Sequence, residues 1–211
     1  MTFRFFSVRR LIWVLVVFLS VAAAAGIGIT VLVLGIFQHQ WDASFVRSVA
    51  GILRIPAARV GQRTISYTTY LTHADAEQRY LSGPAARAQG LPVTMTAEYK
   101  SQALDRAIRI AAVDEFAQAR GVVVTPLDVD RVYDSLIAQA GTSTTPEEIH
   151  NFLRDEFGWD ENDFKTFVVR PALTEDILKQ KELQATKDAN AFDKEMADRL
   201  KKLDVVRYLK F

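Results

Sequence analysis

Residues Leu11 to Phe37, LIWVLVVFLSVAAAAGIGITVLVLGIF, run without a charged side chain, and Ser20 and Thr30 are their only polar ones. A hydrocarbon core about 30 Å thick takes roughly 20 apolar helical residues to cross, so the run predicts a transmembrane anchor over 11–37. Arg4, Arg9 and Arg10 precede it with no acid among them, and positive charge is retained on the cytoplasmic side of a membrane. The expectation is a single-pass protein of the inner (cell) membrane. Residues 1–10 form its cytoplasmic tail, and everything after the anchor lies in extracytoplasmic, periplasmic space. A cleaved signal peptide competes, with Leu11 to Val21 as its apolar part and Ala22-Ala23-Ala24 as its cleavage site. Cleavage there leaves a mature chain that begins AGIGITVLVLGIF, still strongly apolar, so the uncleaved anchor is expected.

The remainder of the 211 residues suits one domain, or one plus a small appendage. Lys and Arg total 26 against 25 Asp and Glu, and the three arginines of the apolar N-terminal part leave the rest close to neutral. That is no electrostatic footprint for nucleic acid. The absence of cysteine excludes disulfides, thiolate zinc sites and cysteine nucleophiles together.

Gln38 to Ile55 places Trp41, Phe45, Val49 and Ile52 on one helical face, which predicts a juxtamembrane helical stalk over 38–55. Pro56 ends it and opens the domain, 56–211. AARVGQRTI reads as two short strands around a Gly61-Gln62 turn. Ser66 or Thr64 then caps a helix to about Leu81 with Tyr67, Tyr70, Leu71 and Ala74 as its apolar stripe. Ser82 to Val93, with two Gly and two Pro, predicts an exposed loop. Thr96 caps a long helix to Arg120, whose inward residues are Leu104, Ala107, Ile108, Ala111, Phe116 and Ala119, and Gly121 follows its end. Thr125-Pro126 and Thr145-Pro146 are two further helix starts. The first leads into a helix burying Val129, Val132, Tyr133, Leu136 and Ile137; the second turns Ile149, Phe152, Leu153 and Phe157 inward. Another helix opens at Asp160, and Pro171 inside it predicts a kink. The last helix carries Phe192, Met196 and Leu200 at spacing four, and VVRYLKF is a β-prone tail able to pair with the early hairpin.

Chemistry is sparse. The chain has no P-loop, GxSxG elbow or HExxH motif. His39, His73 and His150 are scattered and read as solvated or capping side chains. Asp160-Glu161-Asn162-Asp163 lacks the Gly and Glu positions of a calcium loop and suits a helix N-terminus. No catalytic, metal-binding or cofactor-binding residue is assigned. The aromatic stretch Phe152, Phe157, Trp159, Phe164 and Phe167 is the one candidate binding surface. Core is the ordinary role of aromatics at helical spacing; the functional reading is an apolar groove for extended peptide.

The order of these signals resembles the SurA-type N-terminal chaperone domain of exported and membrane-anchored parvulin foldases. The residues that carry the resemblance are ARVGQRTIS, Leu104 to Ala119, Gly121-Val122-Val123-Val124-Thr125, Asp128-Val129, Phe157-Gly158-Trp159 before Asp163-Phe164, and Val169-Arg170-Pro171. They cover roughly Pro56 to Lys181. The resemblance implies a mainly α domain with a small β element that holds non-native polypeptide outside the cytoplasm. After Lys181 too little chain follows for a parvulin module, so prolyl-isomerase activity is not expected. The combined expectation is a membrane-anchored, non-enzymatic chaperone-like protein whose partners are unfolded or newly exported polypeptides. The alternatives are an assembly protein with one fixed membrane partner, or a peptidyl-prolyl isomerase by family.

Overall fold

The computed structural model describes residues 23, 26–140 and 144–211, and it is mainly helical with one three-stranded sheet. Residues 26–39 form helix α1, and α2 follows at Ser44–Leu53. Strands β1, Pro56–Val60, and β2, Arg63–Ser66, make an antiparallel hairpin whose register shifts between Pro56 and Ala58. The hairpin turn falls at Gly61-Gln62. Strand β3, Val205–Arg207, pairs antiparallel with the other edge of β1, giving the order β2-β1-β3. The β-prone tail therefore does join the early hairpin.

The membrane expectation is corrected here. Among the described residues no helix is long and apolar enough to cross a membrane. Most of the apolar run, residues 11–22, 24 and 25, lies outside the described residues. Its C-terminal part belongs to the domain: Leu32 and Ile36 on α1 join the same buried cluster as Val46, Ala50 and Ile55. Trp41 folds back over Gly35, where any Cβ would collide with the indole. The Lys210 amide donates to the Phe37 carbonyl at 3.2 Å, and Tyr208 stacks on Phe37 at 5.9 Å. Residues 44–55 also enter this core. α2 turns Val46 and Ala50 inward, packs Val49 partly against the core and leaves Phe45 and Ile52 in water, so its buried side is rotated by about one residue, roughly 100°, from the one the periodicity suggests.

Helix α3, Tyr67–Ser82, starts where the Ser66 hydroxyl accepts the Thr69 amide. Its inward stripe holds Tyr67, Tyr70, Leu71, His73 and Ala74. The Ser82 to Val93 segment is not all loop: Pro84 at a first helical position starts α4, Pro84–Ala88. Helix α5, Ala97–Ala119, is capped by Thr96 and crosses the middle of the domain. It buries Leu104, Ala107, Ile108, Ala111, Val113, Phe116 and Ala117, with Ala119 left exposed. Small alanines on this face let α3, β1 and the later helices pack closely on it.

Helix α6, Pro126–Ala140, is secured by a reciprocal pair, the Thr125 amide to Asp128 Oδ2 at 3.0 Å and the Asp128 amide to Thr125 Oγ1 at 3.3 Å. It buries only Val129 and Tyr133, while Leu136 is exposed. α7, Pro146–Phe152, has a complete capping box between Thr145 and Glu148 and runs into a π-helical turn, Leu153–Phe157. Asp160 and Asp163 make the box that opens α8, Glu161–Phe164, which continues through a second π turn, Lys165–Val169, into α9, Arg170–Thr186. The kink expected at Pro171 is taken up by that wide turn, in which the Arg170 amide reaches back to the Lys165 carbonyl. α10, Ala191–Lys202, buries Phe192 and Met196 against α5 and α9.

Candidate functional site

An open cleft enclosing about 620 Å³ lies between α3, α5 and the stretch from α7 to α9. One wall carries Phe152, Phe157, Trp159, Phe164 and Phe167, the five aromatics singled out by the sequence. They do not share one degree of burial. Trp159 is buried, Phe157, Phe164 and Phe167 are half-buried, and Phe152, expected to point inward, has 55% of its surface in water.

The two π turns and the turn between them place these rings. The first π turn ends at Gly158, whose φ of +71° suits glycine. The Arg79 guanidinium fills the space a Cβ would need there, so chain reversal and packing onto α3 use the same residue. Reversal brings Trp159 under Phe157, stacked at 5.4 Å. Phe157 also stacks on Tyr80 at 5.8 Å and meets the edge of Phe152 at 5.7 Å. From Trp159 the row passes to Phe167 at 6.2 Å and then to the edge of the His73 ring at 5.1 Å. Offset and edge contacts at such separations suit aromatic quadrupoles. Phe164 stands at the far side against Tyr133, and Lys165 sits 4.5 Å above the Tyr133 ring. Asp130 first and Glu161 second hold the Lys165 ammonium strongly in its charged form.

The opposite wall was missed by sequence reasoning. It consists of His73 from α3 and Ile110 and Val113 from α5. The available signal was that Ile110 and Val113 fall outside the inward stripe assigned to α5, so that helix has a second apolar face. His73 corrects the reading of the histidines as solvated: it is 1% exposed. Burial, with help from the charge of Arg106, pushes its pKa down to about 4, so the imidazole is neutral at physiological pH. Its Nδ1 is buried without a hydrogen-bond partner, and so is the Trp159 Nε1.

Charged pairs rim the mouth. Arg106 meets Glu77 at 3.1 Å, and Arg109 holds both carboxylate oxygens of Glu175 at 3.0 and 3.1 Å. Lys179 also reaches Glu175, at 2.9 Å. Among the described residues no group of His, Asp or Glu side chains could hold a metal ion. Among the described residues that line the cleft there is no nucleophile–base pair. Its chemistry is burial of apolar surface, with two unpaired polar nitrogens in its walls.

Comparison with known family models, curated proteins and solved structures returns no match to this chain. The cleft therefore defines the molecule only by class, as a mainly helical domain with an aromatic-walled cleft.

Proposed function

We propose that the chain is a non-catalytic, chaperone-like protein that holds apolar segments of non-native polypeptide in the aromatic cleft. The observation that carries this reading is the contrast between the cleft and the core: a row of packed rings ends at Phe152, which is left in water at the mouth. Seating one Val-, Leu- or Phe-sized side chain there removes enough apolar surface to contribute about 1.5–3 kcal/mol. Main-chain ordering offsets part of that gain, which suits weak, sequence-tolerant holding rather than tight capture. The resemblance of the order of helical signatures to that of SurA-type domains is in keeping with the same reading.

The test is suppression of aggregation of a chemically unfolded protein by the full chain. Protection that saturates near equal molar amounts and persists at high salt is the expected result. Phe152→Ala combined with Phe157→Ala should weaken it at unchanged secondary structure. No protection at tenfold excess, or equal protection by the double variant, would sink the reading.

A further inference from the structure

The aromatic cleft has a neighbour across the His73–Phe167 contact. A second hollow of about 200 Å³ shares His73, Ile110 and Phe167 with it and continues toward β2. Its charged lining is Arg63, Asp114 and Arg170, and a third hollow beside it is lined by the same three charges. Arg170 Nη2 lies 3.1 and 3.2 Å from the two oxygens of Asp114. Arg63 Nη1 is 3.9 Å from the same carboxylate, while its Nη2 donates to Gln118 Oε1 at 3.2 Å and less closely to the Asp114 carbonyl at 3.5 Å. One carboxylate thus answers two guanidiniums, and this end of the cleft carries a positive charge in excess. Both guanidiniums are open to solvent, with side chains 40% and 46% exposed, whereas Asp114 is 16% exposed. At the aromatic end each arginine has a carboxylate within 3.1 Å, Arg106 that of Glu77 and Arg109 that of Glu175, which Lys179 shares at 2.9 Å, whereas Arg63 reaches no carboxylate closer than 3.9 Å.

The two hollows sit on neighbouring stripes of α5: Arg106, Arg109, Ile110 and Val113 in one, Ala107, Ile110, Ala111 and Asp114 in the other. On a helix about 10 Å across, adjacent stripes lie side by side at less than that distance. A strand rises about 3.3 Å per residue, so about two or three extended residues reach from one hollow to the other.

From charge complementarity across these adjoining hollows, we infer that the preferred occupant is an extended polypeptide segment in which an apolar and an acidic side chain stand two residues apart, on one face of the strand. The apolar group sits among Phe157, Trp159 and Phe167, and the carboxylate is held by Arg63 and Arg170. This rests on the polypeptide-holding reading of the same cleft and adds the selectivity that reading lacks.

The test is fluorescence anisotropy of the full chain with labelled, C-terminally amidated peptides Gly-Leu-Ala-Glu-Gly, its Glu→Gln twin, and the Gln twin with a free carboxyl end. The Glu peptide should bind about five- to tenfold more tightly than the amidated Gln peptide at low salt, since charge-assisted bonds to arginine exceed neutral ones. High salt should erase the ratio. Arg170→Gln should bring the ratio near one while leaving Gln-peptide affinity within about twofold. Arg63→Gln, whose side chain is the more distant of the two from Asp114, provides the same readout if the first variant fails to fold. Equal binding of the amidated Glu and Gln peptides overturns the inference and leaves the holding reading intact. So does an advantage of the free-ended Gln peptide as large as that of the Glu peptide, which would assign the arginines to a chain terminus. Binding of none of the peptides, together with failure of aggregation suppression, removes both.

Discussion

The centre of the domain and its aromatic cleft are made of similar residues and end up in opposite states. Around α5, Phe116 is fully buried, stacked on Phe192 at 6.0 Å with Arg199 4.3 Å from its ring. The sheet, α3, α9 and α10 close over that region from several sides. Around Phe157 the rings stack at like distances, yet among the described residues the second buried apolar cluster, against which Phe164 packs, has three members, Val129, Tyr133 and Val169. Aromatic spacing at 3.6 residues per turn is common to both. The difference is the number of elements available to cover each face, and a face with one wall missing is the one that can take an outside segment.

The contrast can be broken most severely at Phe116. Phe116→Ala removes a fully buried ring from a packed site and should cost about 3–5 kcal/mol in denaturant unfolding; a loss below about 1 kcal/mol would show that the centre is no better packed than the cleft. His73 tests the boundary between the two regions. Its folded pKa, about 4, lies below the ordinary value of 6.5, so the unfolded chain binds the extra proton first as pH falls. Stability is therefore full above about pH 6.5 and declines toward pH 4, by at most about 3 kcal/mol from this group. His73→Leu should flatten the part of the decline between pH 6.5 and 5, as seen in urea midpoints. Ser66→Ala removes the hydroxyl that caps α3 and should cost about 1 kcal/mol, measured by thermal unfolding. The smallest effect on stability belongs to Phe152→Ala, expected below about 1 kcal/mol because the ring is mostly in water. That variant should still lower aggregation suppression measurably. A large stability loss there would place Phe152 in a core rather than at an open wall.

Local chemistry made much of this architecture readable. Thr96, Thr125-Pro126 and Thr145-Pro146 mark helix starts because each supplies a side-chain acceptor to amides that lack an intrahelical partner, and α5, α6 and α7 begin there. Gly61-Gln62 marked the hairpin for a different reason: the turn needs a positive φ, +55° at Gly61, which glycine takes without steric cost. What depends on a second element was not readable. The same helix α2 could have buried either Phe45 or Val46, and docking onto α3 chose Val46. The five aromatics could be listed from sequence, but their shared cleft depends on the two π turns, which no local motif announces. Its far wall, His73 with Ile110 and Val113, and its charged end, Arg63 with Arg170, come from segments far apart in sequence. The apolar run over 11–37 misled for a related reason: hydropathy does not distinguish a lipid-facing helix from one whose Leu32 and Ile36 pack into a domain.

Strand β3 completes the sheet on the edge of β1, and the ion pair beside it, Arg59 with Asp204, joins residues 145 positions apart. During translation at about 5–20 residues per second, the interval between the two is about 7–30 s. Throughout that interval β1 presents an unpaired edge, the surface most prone to recruit a foreign strand. A protein proposed to shield others from aggregation thus passes, on the ribosome, through a stage at which its own first strand needs shielding.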